Sequence, residues 1–253
     1  MISIKSPREI ELMKYAGHVN YLTHQELGKA LRPGITTDEL NGIADKFIRE
    51  HDCIPTELGF EGFPKSICCS INDEVVHGIP GKRKIKNGDI VSFDIVVGYK
   101  GYQADSATTW IVGDVSKSVE DLVVNTEKSL YEGLKAIKNG AKVSDIGRAI
   151  ENYATAHGLS VVRELCGHGI GNEMHEDPDV PNYGKAGTGP LLKEGMVIAV
   201  EPMLTLGRRD ICILDDDWTI ETVDNSPSAH YEHTVVVTKD GMEILTGGRN
   251  GKE

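Results

Sequence analysis

The chain lacks the features that would place it in a membrane or a disulfide scaffold. No apolar run approaches the roughly 20 residues that a spanning helix needs. The opening Met1-Ile-Ser-Ile-Lys-Ser-Pro has no apolar stretch followed by small residues, and is read as no signal peptide. Cysteine is sparse and odd in number: Cys53, Cys68, Cys69, Cys166 and Cys212, with no CxxC pair. That pattern speaks against a disulfide framework or a zinc ribbon and fits a reducing cytoplasm. Positive charge is also short. Against 39 Asp and Glu stand 27 Lys and Arg, a net charge of -12. Phosphate is repelled by such a chain, which argues against DNA and general nucleic-acid binding. GxxxxGK[ST] is absent and Gly167-His-Gly169 falls short of GxGxxG, so nucleotide-binding motifs are missing too.

What is present suits a soluble globular enzyme: 253 residues, 39% apolar and 26% charged, enough to bury a sizeable core. The clearest organisational signal is a weak internal duplication. Ala30-Leu-Arg-Pro-Gly34 resembles Ala136-Ile-Lys-Asn-Gly140, 106 residues on. Leu40, Ile43, Ala44, Phe47 and Ile48 recur at helical spacing and precede His51; Ile146, Ala149, Ile150, Tyr153 and Ala154 do the same before His157. Lys86-Asn-Gly-Asp-Ile-Val-Ser-Phe-Asp94 then parallels Lys193-Glu-Gly-Met-Val-Ile-Ala-Val-Glu201 at an offset of 107. A repeated helix-then-strand unit predicts an α+β fold in one domain, residues 1–253, with halves of about 1–120 and 121–253. Capping boxes at Ser6-Pro7-Arg8-Glu9 and Thr36-x-x-Glu39 predict helix starts.

Both halves set a carboxylate at the same point of an apolar strand. Residues 90–97 read as a strand, Gly98-Tyr-Lys-Gly101 as a turn, and Tyr102 to Ile111 as the returning strand. A four-residue loop puts Asp94 directly opposite Asp105, with β-carbons about 4.5–5.5 Å apart, where like charges repel. Such a pair shares a proton, holds a cation or is solvated; the apolar flanks Phe93 and Ile95 weigh toward a cation. Glu201 follows an apolar run, Glu232 lies in the apolar strand Ala229–Val237, and glycines flank His168. His77 and His175 sit in the distinctive stretches Val76-His-Gly-Ile-Pro80 and Met174-His-Glu-Asp-Pro178. Four carboxylates with one imidazole and no thiolate favour manganese, iron, cobalt or zinc, and exceed what one ion needs.

Gly62-Phe-Pro-Lys-Ser66, Ser70-Ile-Asn-Asp-Glu-Val-Val-His-Gly-Ile-Pro80, Cys166-Gly-His-Gly-Ile-Gly171, Glu201-Pro-Met203 and Tyr231-Glu-His-Thr-Val235, in this order, resemble the type I methionine aminopeptidases of the pita-bread fold. The resemblance covers nearly the whole chain. It implies two pseudo-symmetric halves around a curved antiparallel sheet. It implies two divalent ions (Co, Mn, Fe or Zn) on Asp94, Asp105, His168, Glu201 and Glu232, with Asp105 and Glu232 bridging and Glu201 also relaying a proton. His77 and His175 would hydrogen-bond substrate and oxyanion. Phe60, Phe63, Cys68, Met174 and Trp218 would wall a methionine pocket. The implied substrates are nascent polypeptide N-termini with a small second residue. Glu57 departs from the family, whose members carry a neutral residue there, and is expected to point outward because an unpaired buried charge is costly. Phe60 stands where tyrosine is common, and Met174 where a bulkier apolar residue is.

The rival readings are an X-Pro-type peptidase of the same fold and a non-enzymatic binding protein. X-Pro relatives carry an added N-terminal domain, whereas the first capped helix here starts near residue 7; binding proteins lose ligands, and here all five stand. Nothing suggests an obligate dimer, so a monomer is expected. The basic run Lys82-Arg-Lys-Ile-Lys86 reads first as a solvated loop and second as a ribosome contact.

Overall fold

Ser6 starts the first helix as its capping box predicts. In the computed structural model, which describes residues 2–248, the Ser6 hydroxyl accepts from Glu9 N and the Glu9 carboxylate accepts from Ser6 N. Two of the unpaired donors that open helix α1 (Pro7–Ala30) are thereby satisfied. Thr36 repeats the device for α2 (Thr37–Glu50), which turns Leu40, Ala44 and Ile48 inward. Ser116 caps α3 (Lys117–Lys135), and α4 (Val143–Ala156) buries Ile146, Ile150 and Ala154. The two repeated histidines are helix terminators. His51 and His157 each end a helix, and each ring Nδ1–H donates to the carbonyl four residues back, Phe47 O and Tyr153 O, at 2.8 Å. Each ring also packs on the aromatic side chain of that residue, with centroids 4.3 and 4.2 Å apart.

Strands β1 (Ile54–Pro55), β2 (Cys68–Ile71), β3 (Glu74–Val76), β4 (Ile90–Tyr99) and β5 (Tyr102–Ile111) precede α3. After α4 come β6 (Ser160–Val161), β7 (Gly167–Gly169), β8 (Glu176–Val180), β9 (Val197–Val200) and β10 (Met203–Thr205). β11 (Ile211–Ile213), β12 (Ile220–Thr222), β13 (Ser228–His230), β14 (His233–Val237) and β15 (Met242–Ile244) complete the described residues. Pairing among these strands is antiparallel. One sheet carries β5 on one edge of β4, and β2 then β1 along the other; a second runs β15-β14-β9-β7-β8. Helices α1 and α2 pack on the first through Leu27, Leu40, Ile48, Phe93 and Ile95. Helices α3 and α4 pack on the second through Leu130, Ile146, Ile150, Ile198 and Val235.

The β4–β5 register differs from the expected one. Tyr99 pairs with Tyr102, so only Lys100 and Gly101 form the loop; Asp94 faces Ala107, and Asp105 faces Val96. Both loop residues have positive φ, 48° and 85°, as a two-residue hairpin turn matched to strand twist requires. The strands therefore stay paired to Tyr99 instead of opening at Val97. Asp94 and Asp105 become diagonal neighbours, still on one face because the shift is two residues.

β5 meets β13 and β14 through threonine hydroxyls. Thr234 Oγ1 accepts from Asp105 N at 2.9 Å and donates to Asp105 O at 2.8 Å. Thr109 Oγ1 does the same for His230 N at 2.9 Å and His230 O at 2.8 Å. Between them Glu232 N donates to Ala107 O at 2.9 Å. Replacing Thr234 by valine keeps the volume but orphans a buried N–H and a buried C=O at Asp105. We expect Thr234→Val to lower stability by about 2–6 kcal/mol, each of the two orphaned groups costing about 1–3 kcal/mol, with Thr234→Ser close to the parent. Urea unfolding checks this; a valine variant indistinguishable from the parent would contradict the role given to the seam.

Candidate metal centre

The seam and two strand breaks bring the expected carboxylates together. Phe93 and Ile95 turn to the helices, so alternation turns Asp94 to the other face of β4. Asp105 joins it from β5, its backbone held by Thr234. The last pair of the β9–β14 ladder is Val200–His233, so Glu201 and Glu232 leave the sheet side by side. Sequence reasoning ran one strand through Ala229–Val237; it is in fact two, β13 and β14, interrupted at Tyr231 and Glu232. The reason lies opposite, where Pro202 has no N–H to continue the ladder. Both chains there change sheets, β9 to β10 and β13 to β14.

His168 sits at the centre of β7. Its glycine neighbours are obligatory: a Cβ on Gly167 would lie 2.3 Å from Ala199 O, and one on Gly169 2.1 Å from Asp177 O. The ring Nδ1–H donates to Gly169 O at 2.9 Å, which leaves the lone pair on Nε2. That nitrogen lies 3.5 Å from Glu201 Oε1 and 3.8 Å from Asp105 Oδ2.

The electrostatics of this cluster are unfavourable without a cation. Burial pushes the Asp94 carboxyl up to about 6. Burial and then neighbouring carboxylates hold Asp105, Glu201 and Glu232 well above their ordinary range. Burial pushes His168 down to about 4, so it is neutral at physiological pH. Asp94 Oδ1, Asp105 Oδ1 and Glu232 Oε1 are buried with no hydrogen-bond partner. Ligand atoms of Asp105, His168 and Glu232 lie within 4.8 Å of one another. Orphaned carboxylate oxygens around a neutral imidazole lone pair fit a divalent cation with mixed oxygen and nitrogen preference.

Two cavities with shared walls open on the cluster. The wider, about 590 Å³, is lined by His77, Asp94, Cys166, His168, His175 and Glu201 among others. The narrower, about 160 Å³, shares His77, Asp94 and His175 with it and is walled by Phe60, Phe63, Cys68, Met174 and Trp218. All five expected walls are thus brought to one compartment. Phe63 meets Trp218 edge-on at 5.1 Å, and Phe60 meets His175 at 5.5 Å. His77 holds a left-handed backbone, φ 59°, an uncommon conformation for a residue with a side chain. Burial pushes its imidazole down to about 4. His175 stands at the solvent-facing mouth, edge-on to the His168 ring at 4.4 Å. A cavity of about 610 Å³ on the helical side, around His24 and Trp110, contains none of the expected site residues, so size alone does not locate the site.

Glu57 corrects one expectation. It points inward, 6% exposed, and lines the narrow cavity. Pairing of Pro55 with Val97, and of Thr56 N with Val96 O at 3.0 Å, folds the following turn over Asp94. The charge penalty behind the outward expectation is avoided because burial and then Asp94 raise the Glu57 carboxyl well above its ordinary range, keeping it neutral. His230 was missed altogether. It is 1% exposed, pushed down to about 3 by burial, and its Nε2 lies 3.9 Å from Glu201 Oε2. Its only sequence signal was a histidine inside an apolar strand two residues before Glu232.

Comparison with known proteins adds a family. The model of metallopeptidase family M24 matches residues 11–239. Methionine aminopeptidase 1 of Bacillus subtilis (strain 168) is 49% identical over 246 residues, 97% of this chain and 99% of the relative. A methionine aminopeptidase of Clostridium perfringens is 46% identical over the same 97%. Among solved structures, methionine aminopeptidase from Rickettsia prowazekii superposes with a TM-score of 0.96 at 44% identity, covering 98% of this chain and all of that one. Prolidase from Pyrococcus furiosus superposes with a TM-score of 0.78 at 21% identity, over 96% of this chain but 65% of its own, a likeness of fold alone. Helices backing antiparallel sheets, as expected of the pita-bread fold, are what these structures share with the chain.

The raised Asp94 pKa makes a signed prediction. A group raised in the folded state contributes fully below its unfolded value and loses that contribution as pH rises through the folded value, here about 6. Chelator-treated protein should therefore become about 1–3 kcal/mol more stable on Asp94→Asn near neutral pH, one pKa unit being about 1.4 kcal/mol. The gain should vanish as pH falls below 3.8, under both values. With divalent metal in excess the sign should reverse, since the variant loses a ligand. Urea titrations of parent and variant test this; a metal-free variant less stable than the parent at neutral pH would contradict it.

Proposed function

The chain belongs to metallopeptidase family M24, and from that premise we propose that it removes N-terminal methionine from peptides and nascent proteins with a small second residue. The observation that carries the proposal is the apolar compartment of about 160 Å³ sharing Asp94, His77 and His175 with the carboxylate cluster. An unbranched thioether suits its aromatic and sulfur walls, Phe60, Phe63, Cys68, Met174 and Trp218. The X-Pro alternative is set aside: the relatives alike in sequence are named methionine aminopeptidases, and prolidase shares only the fold.

Membership of a metallopeptidase family implies divalent metal. We assign two ions, of manganese, iron, cobalt or zinc, to Asp94, Asp105, His168, Glu201 and Glu232, because one ion does not use four carboxylates. Bound there, they supply Lewis acidity toward a carbonyl oxygen and acidify water. The side chains do the rest. Glu201, 14% exposed at its side chain and lining the wider cavity, is placed to take a proton from water and pass it to the leaving amine. His175 and His77, neutral at physiological pH, offer N–H donors where oxyanion charge develops. His230, against Glu201, is a positioning residue.

We read residues 1–253 as one catalytic domain of two related halves, supported by the paired terminal histidines His51 and His157. We further propose a cytoplasmic monomer. No helix among the described residues is long and apolar enough to cross a membrane. The ribosome contact rests on Lys82, Arg83, Lys84 and Lys86, all exposed, although Arg83 also pairs with Glu74 at 2.6 Å. Reversing the charge of Lys82, Arg83 and Lys84 should weaken co-sedimentation with ribosomes; unchanged, salt-sensitive binding would remove this contact.

Release of methionine from Met-Ala-Ser, against Leu-Ala-Ser and Ala-Pro-Ala, tests the main proposal. Release should require added metal. It should fall roughly 10²–10⁴-fold in Glu201→Gln, the range for a general acid–base group. It should fall roughly 10²–10³-fold in His175→Ala, as when an oxyanion donor is lost. Preference for Leu-Ala-Ser would reject the methionine pocket, and metal-independent release would reject the assigned centre.

A further inference from the structure

Glu57 and Cys68 have no part in the chemistry above beyond walling a pocket, yet they are built like ligands. Cys68 and Asp94 are directly opposed residues of the β2–β4 pair, so their side chains share one face. The turn after β1 brings Glu57 over the same spot. Ligand atoms of Glu57, Cys68 and Asp94 lie within 4.8 Å of one another. Glu57 is 6% exposed and Cys68 5%. Glu57 Oε2 and Asp94 Oδ1 are buried with no hydrogen-bond partner. Two acid groups are not what an apolar side-chain pocket needs.

We propose that Glu57, Cys68 and Asp94 form an additional site for a thiophilic divalent ion such as zinc or cobalt, sharing Asp94 with the dinuclear cluster. Thiolate with carboxylate is a donor set that zinc accepts and calcium or magnesium does not. Binding forms a metal–sulfur bond and releases the Cys68 thiol proton, and any proton on Glu57, to solvent. Because protons leave, occupancy rises with pH. The ion occupies the compartment that walls the substrate side chain, so excess zinc inhibits. The binding claim stands on the geometry; only the inhibitory consequence rests on the proposed methionine pocket.

Cobalt(II) titrated into the full chain gives the direct readout, because thiolate coordination produces a near-ultraviolet charge-transfer band that carboxylate and imidazole do not. The titration is run in a Cys212→Ser background, which removes the exposed thiol. The first equivalents should fill the cluster without the band, and further cobalt should bring it in. The band should vanish in Cys68→Ser and persist in Cys166→Ser, whose thiol lines the wider cavity. Glu57→Gln removes a ligand and should move its midpoint to at least roughly tenfold higher cobalt, the lower end for losing even an outer partner at a metal. If Cys68→Ser misfolds, the Glu57→Gln shift decides. No band once the cluster is loaded, or a band that survives Cys68→Ser, overturns the site. Methionine release is scored separately, at cobalt levels that load the cluster before the band appears: no release there, with the band arriving on further cobalt, keeps this site and rejects the proposed function.

Discussion

The structure is organised around carboxylates brought within reach of one another away from water. Asp94, Asp105, Glu201 and Glu232 repel each other, and burial adds a larger cost to ionising each. Left alone, such a cluster holds its protons to higher pH than ordinary carboxylates do. A divalent cation reverses that preference, because the unpaired oxygens then face a charge of opposite sign. The fold must therefore hold four acids in place before the ion binds, and much of the chain serves that purpose.

It does so by making the two halves meet without a backbone ladder. Thr234 grips Asp105 through both N and O, and Thr109 grips His230 in the same way. A hydroxyl that both accepts and donates replaces one residue's share of a ladder and leaves neighbouring side chains free to point into the site. Pro202 enforces the complementary break, which releases Glu201 and Glu232 from β9 and β14. The helices stay behind the sheets, where Phe93 and Ile95 on one side, and Ile198 and Val235 on the other, fix the strands. Glu201 and Glu232 thus lie at strand breaks, and Asp94 and Asp105 within paired strands, an arrangement that fixes the carboxylates before any ion binds, as preorganisation requires.

Much of this was legible in the residues. Apolar runs interrupted by a lone Asp or Glu marked the four carboxylates, and glycines flanking His168 marked close backbone approach, now seen at Ala199 O and Asp177 O. What sequence could not supply was register and direction. The slide that sets Asp94 opposite Ala107 depends on Lys100 adopting positive φ, for which lysine gives no cue. Glu57 was misjudged because a carboxylate in an apolar wall is costly only while ionised, and burial, then Asp94, raises its pKa well above the ordinary range. His230 was overlooked because a buried histidine in a strand is ordinarily a core residue; its closeness to Glu201 arises only from the break at Tyr231.

Anomalous X-ray diffraction from manganese-loaded crystals addresses the central claim most directly. The account predicts two strong peaks among Asp94, Asp105, His168, Glu201 and Glu232, with Asp105 and Glu232 contacting both. Peaks elsewhere, or none among these five residues in crystals containing excess manganese, would show that the carboxylates are gathered for another purpose.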